Sequence, residues 1–369
     1  WNTRYHFFTE LTASVRGFSL AGLSLEHLHR RLDGYGIHGH GDAVESEALK
    51  LGLERSRDFV QRSLMTLLKG LFDEAALVDI DVPLEAAVMK PAGVPPVRFQ
   101  LPRTLGIQDL ADEDQRIAEV VSKYMQACEM LEQAGLAPLE GPQERDELLL
   151  KRCREEHARV FEATVHNLQS AYDTHIKNTT QESSDPRLPL LRGHISTCLH
   201  LLQAVTQLVH FMERHESGER GAEAQERLTK LIRREEVTDI VLNTLLERAF
   251  WALGAGSSLA AELLPSYTDV GTVQVDLPEG VTLHARPIAL IVAVVNHHGT
   301  PVEITIGDKT ANAGSILEVM ILAGSNPEAG TVTFQGDARP IADLQCLIEA
   351  GMGEQGLDEL PASLAYLRG

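Results

Sequence analysis

Cysteines, basic residues and long apolar runs are all scarce in this sequence of 369 residues. Its four cysteines include no C-x-x-C pair, which is typical of a reducing compartment and indicates no disulfide framework. No apolar run approaches the length of a membrane span. Only 33 lysines and arginines face 53 aspartates and glutamates, so the formal net charge is −20. Because an acidic surface repels phosphate backbones and anionic lipids, neither nucleic acid nor a membrane is expected as a partner.

The length and composition favour a globular protein of two or three domains, and we expect it to be cytoplasmic. Hydrophobic residues make up 43% of the chain, which is enough for a substantial buried core. The sequence begins with Trp1 rather than methionine, so it leaves open what precedes that residue, a targeting segment included.

The first 265 residues are predicted to form an all-α helical domain. Apolar side chains recur there at helical spacing, with turn-rich breaks between the helices. The predicted helices cover about 3–32, 42–74, 109–133, 144–178, 187–216 and 221–264, and Gly254, Gly256, Ser257 and Ser258 are expected to interrupt the last of them. Long helices with short connections pack most simply as an antiparallel bundle. Residues 78–106 interrupt the pattern with five prolines, which predict an extended segment with at most short edge strands.

After residue 270 the hydrophobic period changes from helical to two. Val273, Val275 and Leu277 alternate with polar residues, which predicts a half-buried strand. Further strands are predicted at 302–306, 309–312 and 331–335, and helices at 285–297, 315–322 and 339–349. The order β-α-β-β-α-β-α favours an α+β open-faced sandwich, a four-stranded antiparallel sheet with helices on one face. We expect this domain to cover 271–351, followed by a C-terminal tail at 352–369.

A histidine stands directly before the first predicted helix of that domain, in the sequence Thr-Leu-His-Ala-Arg-Pro at 282–287. Neutral imidazole is a nucleophile near pH 7, and the free amides of a helix N-terminus bind phosphate oxygens. Arg286 adds a cation, and Pro287 loses no hydrogen bond in the first turn. The pattern therefore predicts that His284 carries a phosphoryl group. The alternative is an exposed histidine that only caps the helix, which a lone histidine would favour.

Two motifs in register resemble HPr, the histidine-containing phosphocarrier of the phosphotransferase system. Residues 283–287, Leu-His-Ala-Arg-Pro, resemble its active-site loop, and residues 313–320, Ala-Gly-Ser-Ile-Leu-Glu-Val-Met, resemble its regulatory-serine helix. The resemblance covers about 272–351 and implies an HPr-like fold. It also implies that His284 accepts a phosphoryl group from an enzyme I-like donor, with Arg286 as its basic partner. A protein acceptor would then take the group, so the chain is expected to be a phosphocarrier or phospho-signalling protein.

The same resemblance implies two further sites on the domain. Ser315 is similar to the serine that an HPr kinase phosphorylates in some bacteria, although an ordinary helix N-cap explains it equally well. An apolar docking patch for partner proteins is implied at Ala289, Ile316, Leu317 and Met320. The alternative for these four residues is ordinary packing against the sheet. No cofactor and no metal site are expected.

The sequence also departs from the HPr pattern. Thr282 stands where the family usually has a glycine, and it could restrict the loop or shield the imidazole. After Gly271 the only basic residues are Arg286, Lys309, Arg339 and Arg368. Electrostatic steering toward an acidic enzyme I would therefore be weak or reversed. An unusual donor, a regulatory site, or a docking surface shared with the helical domain all remain open.

Twelve of the fifteen histidines lie in the helical domain, but none belongs to a complete motif. His38 and His40 lack a third metal ligand, and Glu162 with His166 has no repeat on a second helix, as a di-iron site requires. A second phosphorylated histidine is a weaker hypothesis for His194, His200 or His210. A different class of function is also open, a non-catalytic regulatory or scaffold protein whose HPr-like domain only docks partners. In either case the helical domain is a candidate for homodimerisation.

Overall fold

The computed structural model describes residues 3–39, 42–82, 107–135, 141, 143, 147–148, 153–216, 222–278, 281–327 and 329–368. These residues form two compact units. The first unit contains the described residues before 106, those from 127 to 173, and those from 178 to 257. The second contains 107–126, 174–177 and the described residues from 258 onward.

The described residues before Val270 form helices and tight turns, which confirms the predicted all-α character. The helices are α1 (His6–Arg31), α2 (Ala43–Leu77), α3 (Ile107–Ala134), α4 (Glu155–His175), α5 (Thr180–Ser184), α6 (Arg187–Glu216), α7 (Ala222–Leu231), α8 (Arg234–Ile240), α9 (Glu247–Gly254) and α10 (Ser257–Leu263). Short 3₁₀ turns lie at Thr3–Tyr5, Leu32–Tyr35, Ile37–Gly39 and Leu264–Ser266. A π-helical turn, Val241–Leu246, joins α8 to α9.

Apolar residues at helical spacing build the interior of the first unit. Phe18 on α1 is fully buried, and its ring meets Phe211 of α6 edge-on at 5.0 Å. Such an edge-to-face pair is a favourable aromatic geometry. Asp42 caps α2 as its sequence position indicates, because its carboxylate accepts a 2.8 Å hydrogen bond from the Val44 amide.

Several predicted boundaries in this region were wrong. The predicted break after Asn178 contains helix α5, because the Thr179 hydroxyl caps it by accepting from the Glu182 amide at 3.1 Å. The helical run predicted at 221–264 has the expected interruption between Gly254 and Ser257, and it is further divided into α7, α8, the π turn and α9 before that point. Most of the proline-rich segment, residues 83–106, lies outside the described residues, so its predicted extended form stays a prediction.

The sheet of the second unit has the predicted strands and the predicted order of elements. The order is β1 (Val270–Asp276), α11 (Ala285–His298), β2 (Val302–Ile306), β3 (Lys309–Asn312), α12 (Ile316–Ser325), β4 (Thr331–Asp337) and α13 (Ala338–Glu349). The four strands lie side by side as β1-β4-β2-β3, and every pairing is antiparallel. Phe334 of β4 is paired with Val273 on one side and Ile304 on the other. The α+β open-faced sandwich is thereby confirmed.

The alternating residues of the strands supply one side of a single core. Val302, Ile304 and Phe334 are buried. Glu303, between the first two, and Gln335, next to Phe334, are exposed. Side chains from the three helices fill the other side of the core: Ile291, Val294, Val319, Leu322, Leu344 and Leu347. One-sided burial of this kind places the helices on one face of the sheet. The core packing therefore holds α11, and with it the N-terminal end of that helix, against the sheet.

The residues after α13 pack on the same core. We call residues 350–368 the C-terminal segment. Leu360 and Leu364 are buried in the core cluster, and the Tyr366 ring stacks on His297 of α11 at 3.7 Å. The Tyr366 hydroxyl donates a 2.7 Å hydrogen bond to Asp343 of α13. Burial, followed by this bond, raises the pKa of Tyr366.

No helix in the described ranges of the chain is both long enough and apolar enough to cross a membrane.

Candidate functional site at the N-terminus of helix α11

His284 is the N-cap residue of α11. Its backbone is extended (φ −107°, ψ −173°), and its carbonyl accepts the first helical hydrogen bond from the Ile288 amide at 3.1 Å. Its own amide donates to the Thr282 carbonyl at 2.9 Å. Pro287 is buried in the first turn, where no amide needs a helical partner. The local sequence therefore ends the loop and begins the helix at His284.

The two ring nitrogens of His284 have different partners. Nδ1 accepts a long hydrogen bond, 3.4 Å, from the Arg286 amide. Nε2 lies 3.1 Å from the Oε1 carboxylate oxygen of Glu354. An amide can donate only to an unprotonated nitrogen. The Arg286 amide therefore assigns the neutral ring a lone pair on Nδ1 and a proton on Nε2, the nitrogen that faces Glu354.

The imidazole is accessible to solvent. Its side chain is 52% exposed, and both Ala285 and Arg286 beside it are exposed. Thr282 is also exposed. Its carbonyl is used by the His284 amide, so the threonine takes part in the turn that presents the histidine.

Arg286 supplies a cation in the first turn of α11. Its side chain is exposed, and among the described residues it has no ion-pair partner. An exposed guanidinium in the first turn of a helix can bind an anion. The Arg286 guanidinium stands beside a helix N-terminus, where the aligned peptide dipoles already favour negative charge.

Ser315 is the N-cap of α12, which was the alternative to a phosphorylation site for this residue. Its hydroxyl accepts a 3.4 Å hydrogen bond from the Glu318 amide, and the Glu318 carboxylate accepts from the Asn312 amide at 3.0 Å. Glu318 is thus capped at its amide by Ser315, and its carboxylate holds the end of β3 at Asn312. A Cβ on neighbouring Gly314 would lie 3.3 Å from Val295, in the last turn of α11. That turn is about 16 Å along α11 from His284, so the structure does not bring Ser315 to the histidine.

The four predicted docking residues are exposed. Ala289 lies on the open side of α11, and the exposed fractions on α12 are 49% for Ile316, 66% for Leu317 and 48% for Met320. The alternative, packing against the sheet, does not describe these α12 residues, because Val319, Leu322 and Ala323 fill that role. Ile321, 62% exposed, extends the apolar surface and was not predicted.

Each of the other candidate histidines has a partner within the first unit. His194 is fully buried, with Nδ1 2.7 Å from the Ala252 carbonyl oxygen. His200 lies against the His27 ring, and burial lowers its pKa. His210 is 2.6 Å from the Glu155 carboxylate. None of the three combines exposure with a helix N-terminus as His284 does.

The metal hypotheses gain no support from the geometry. Within the part of the chain that the structure describes, no group of three His, Cys, Asp or Glu residues could hold a metal ion. His38 is partly buried, which lowers its pKa, and His40 lies outside the described residues.

Glu354 is the site residue that sequence reasoning missed. It lies five residues beyond the end of α13, outside both motifs. No spacing signal marks it, because only the turn after α13 brings it to the imidazole. Finding it required the three-dimensional path of the C-terminal segment.

A comparison with protein-family models agrees with the fold and the motifs. The model for the PTS HPr component phosphorylation site matches residues 271–349. Residues 271–349 form an HPr-like module. The match begins at β1 and ends with α13, so it leaves the helical residues and the C-terminal segment unassigned. Neither the curated proteins nor the solved structures contain a significant match to this chain.

Proposed function

We propose that the HPr-like module is a phosphoryl carrier, with Nδ1 of His284 as the acceptor atom. The observation that carries the proposal is the exposed imidazole at the N-terminus of α11, with the lone pair of Nδ1 directed at the helix amides. Neutral imidazole needs no deprotonation before it attacks phosphorus. The family match to a phosphorylation site supports the same chemistry.

The transfer needs neither a general base nor a metal ligand from the protein. The Nδ1 lone pair forms the N–P bond, and the electron pair of the breaking donor–phosphorus bond leaves with the donor. The phosphate oxygens then take the place of Nδ1 as acceptors for the Arg286 amide, and the Arg286 guanidinium neutralises part of their charge. In onward transfer the N–P bond breaks and its electron pair returns to Nδ1.

The partners follow from this chemistry and from the module's surface. An enzyme I-like protein supplies the phosphoryl group, and a protein acceptor removes it. From Gly271 onward the chain has twelve acidic and four basic residues. An acidic surface steers basic partners, so the donor should present a basic contact surface around its reactive group. The exposed apolar residues of α12, with Ala289, are proposed to dock there.

The remaining assignments are proposals of the same kind. The protein acts in the cytoplasm, with 1–265 as a helical domain that directs output or mediates homodimerisation, 271–351 as the carrier and 352–369 as its tail. A kinase of the HPr type is a candidate modifier of Ser315. Since Ser315 lies beside the last turn of α11, at the opposite end of that helix from His284, a phosphate there would act on partner docking and not on the imidazole itself.

Labelling with phosphate tests the proposal. The protein is incubated with enzyme I and with phosphoenolpyruvate whose phosphate is isotopically labelled, and the label on the chain is counted. We expect label on the wild type and on His297→Ala, which removes an exposed histidine from the other end of the same helix. We expect none on His284→Ala. Equal label on His284→Ala would overturn the assignment.

A second candidate function, a docking module without phosphoryl transfer, is favoured by one observation. The module has few basic residues for an acidic donor to recognise. In that case partner capture and native mass would be the same for wild type and His284→Ala, and no label would appear on either.

A further inference from the structure

We propose that Glu354 is a positioning residue for His284, which orients the imidazole and stabilises the charge that the ring acquires when it is phosphorylated. The proposal rests on the phosphoryl-carrier function proposed above. Its structural basis is the 3.1 Å contact between Oε1 of Glu354 and Nε2 of His284. The family match ends at residue 349, so no known role of the family model reaches this carboxylate.

A tight left-handed turn brings Glu354 to the imidazole. Gly351, Met352 and Gly353 all have positive φ, at 73°, 54° and 69°. A methionine in this conformation is strained, and it is held here because its side chain is fully buried. Gly353 is required for a second reason, since a Cβ there would lie 2.9 Å from Leu290 on α11. The turn thus packs directly on the helix that His284 begins.

The far end of the C-terminal segment is also fixed. Leu360 and Leu364 are buried, and Tyr366 is bonded to Asp343. Arg368 donates a 3.2 Å hydrogen bond back to the Leu357 carbonyl. Glu354 is therefore carried by a segment packed on both sides of it, and not by a free tail. Its side chain is 36% exposed, so the contact lies at the surface of the site.

The carboxylate acts on the nitrogen opposite the reactive one. Its negative charge, 3.1 Å from Nε2, favours the proton on that nitrogen and so the lone pair on Nδ1, where the helix amides and Arg286 can receive a phosphate. When Nδ1 forms the N–P bond and Nε2 keeps its proton, the ring becomes positively charged. A carboxylate on Nε2 stabilises this cation, as the aspartate does for the imidazolium of a serine hydrolase triad. The proton stays on Nε2 throughout, and the charge on the ring disappears when the N–P bond breaks.

The ring contact can be measured without any phosphoryl donor. The full chain is labelled with ¹⁵N in its histidine rings, and the His284 signals are identified by their loss in His284→Gln. We expect the wild type to show a proton on Nε2 of His284 whose exchange is slowed by the neighbouring carboxylate. The signal should vanish in Glu354→Ala and persist in Glu359→Gln, which removes an exposed carboxylate from the same segment. Persistence of an identical signal in Glu354→Ala would overturn the proposal.

The transfer kinetics test the chemical role. We expect Glu354→Gln and Glu354→Ala to slow phosphoryl transfer through His284 by about two- to five-fold, the size of a partly exposed ion pair. Glu354→Asp should restore part of the rate, and Glu359→Gln should leave it unchanged. Equal or faster transfer in Glu354→Gln, at an unchanged melting temperature, would contradict a stabilising carboxylate.

The two proposals fail in different ways. If the wild type takes up no phosphate, the carrier function is wrong, while the ring spectrum still decides the contact. If the wild type carries phosphate normally and all the Glu354 variants match it in rate and spectrum, only the role of Glu354 is wrong.

Discussion

His284 serves both as the cap of a helix and as the proposed nucleophile. Capping uses the lone pair of Nδ1, the same pair that would attack phosphorus. Phosphorylation removes that acceptor but brings three oxygens to the same amide, so the helix is not left without a cap. A negative charge at a helix N-terminus is also favourable by about 0.3–1 kcal/mol. The site can therefore alternate between two states without unwinding α11.

Removing the Arg286 charge should slow phosphoryl transfer and leave the fold intact. In Arg286→Gln the exposed guanidinium is lost, and with it a charge-assisted hydrogen bond to the transferring phosphate. Such a bond contributes about 1.5–3 kcal/mol, and less at an exposed position such as this one. We expect a rate about ten-fold lower, measured as the initial rate of label uptake. Lys309→Gln removes one positive charge from β3 of the same module and is the control. If both variants slow transfer equally, general steering explains the effect and not a specific contact.

The Ser315 hydroxyl should stabilise the first turn of α12. Ser315→Ala leaves the Glu318 amide without its acceptor and should cost about 0.5–1 kcal/mol of local stability. Hydrogen exchange of the α12 amides measures this cost. Ser315→Asp keeps an acceptor and should retain protection, and Ser325→Ala at the other end of the helix should have little effect. Unchanged exchange in Ser315→Ala would show that the long 3.4 Å cap contributes nothing.

The turn after α13 matters at the scale of the element, because it decides where the C-terminal segment runs. Its three left-handed residues reverse the chain within a few ångströms of α11. Two are glycines, for which this conformation carries no steric cost. The third, Met352, is held by burial of its side chain.

Gly353→Ala should destabilise this turn. The new methyl group meets Leu290 at 2.9 Å, and a φ of 69° is unfavourable for alanine. We expect a loss of about 1–3 kcal/mol in the free energy of unfolding of the module, measured in urea. Gly330→Ala is the matched control, because a Cβ there meets no atom within 4 Å. A loss of similar size in both variants would mean that neither the close approach nor the positive φ matters.

The elements of the HPr-like module could be predicted because each has a local signal. Val302, Ile304 and Ile306 alternate with polar residues, and the structure buries all three. His284 and Ser315 are suitable caps, and both begin helices at the predicted positions. Period and cap chemistry act within a few residues, so the sequence alone displays them.

The features that were missed depend on interactions that the sequence does not display. Helix α5 is only five residues long, too short for a hydrophobic period, and its Thr179 cap looked like part of a polar break. The exposure of Ile321 depends on which face of α12 the sheet covers. Glu354 reaches His284 across 70 positions of sequence, through a turn in which Met352 adopts a conformation that no propensity predicts.

At the scale of the whole molecule, all four cysteines are free thiols, and three of them are buried. Cys128, Cys153 and Cys198 are buried free thiols, and Cys346 is partly exposed. Burial raises the pKa of Cys128 and of Cys153 to about 12, and it also raises the pKa of Cys198. These three residues are therefore structural and not redox sites.

Alkylation of the native protein should be confined to Cys346. Only the thiolate reacts, and a raised pKa keeps Cys128 and Cys153 protonated up to about pH 12. Raising the pH from 7 to 9 should therefore not speed their modification by iodoacetamide. Mass spectrometry of peptides identifies the modified residues, with urea-unfolded protein as the control in which all four react. Rapid native modification of the buried three would show that the helical region opens readily.

The helical residues and the HPr-like module are joined in one acidic chain, and the match to known proteins covers only the module. The module supplies the chemistry proposed here, and the helical residues supply no comparable site among those described.

The position of phosphorus on the protein tests the central claim most directly. The chain is phosphorylated by phosphoenolpyruvate and enzyme I, kept at alkaline pH, and studied by ³¹P and ¹⁵N NMR. The account predicts one phosphoramidate, on Nδ1 of His284, with Nε2 still facing Glu354. Phosphorus on Nε2, on another histidine, or on no residue at all would contradict it.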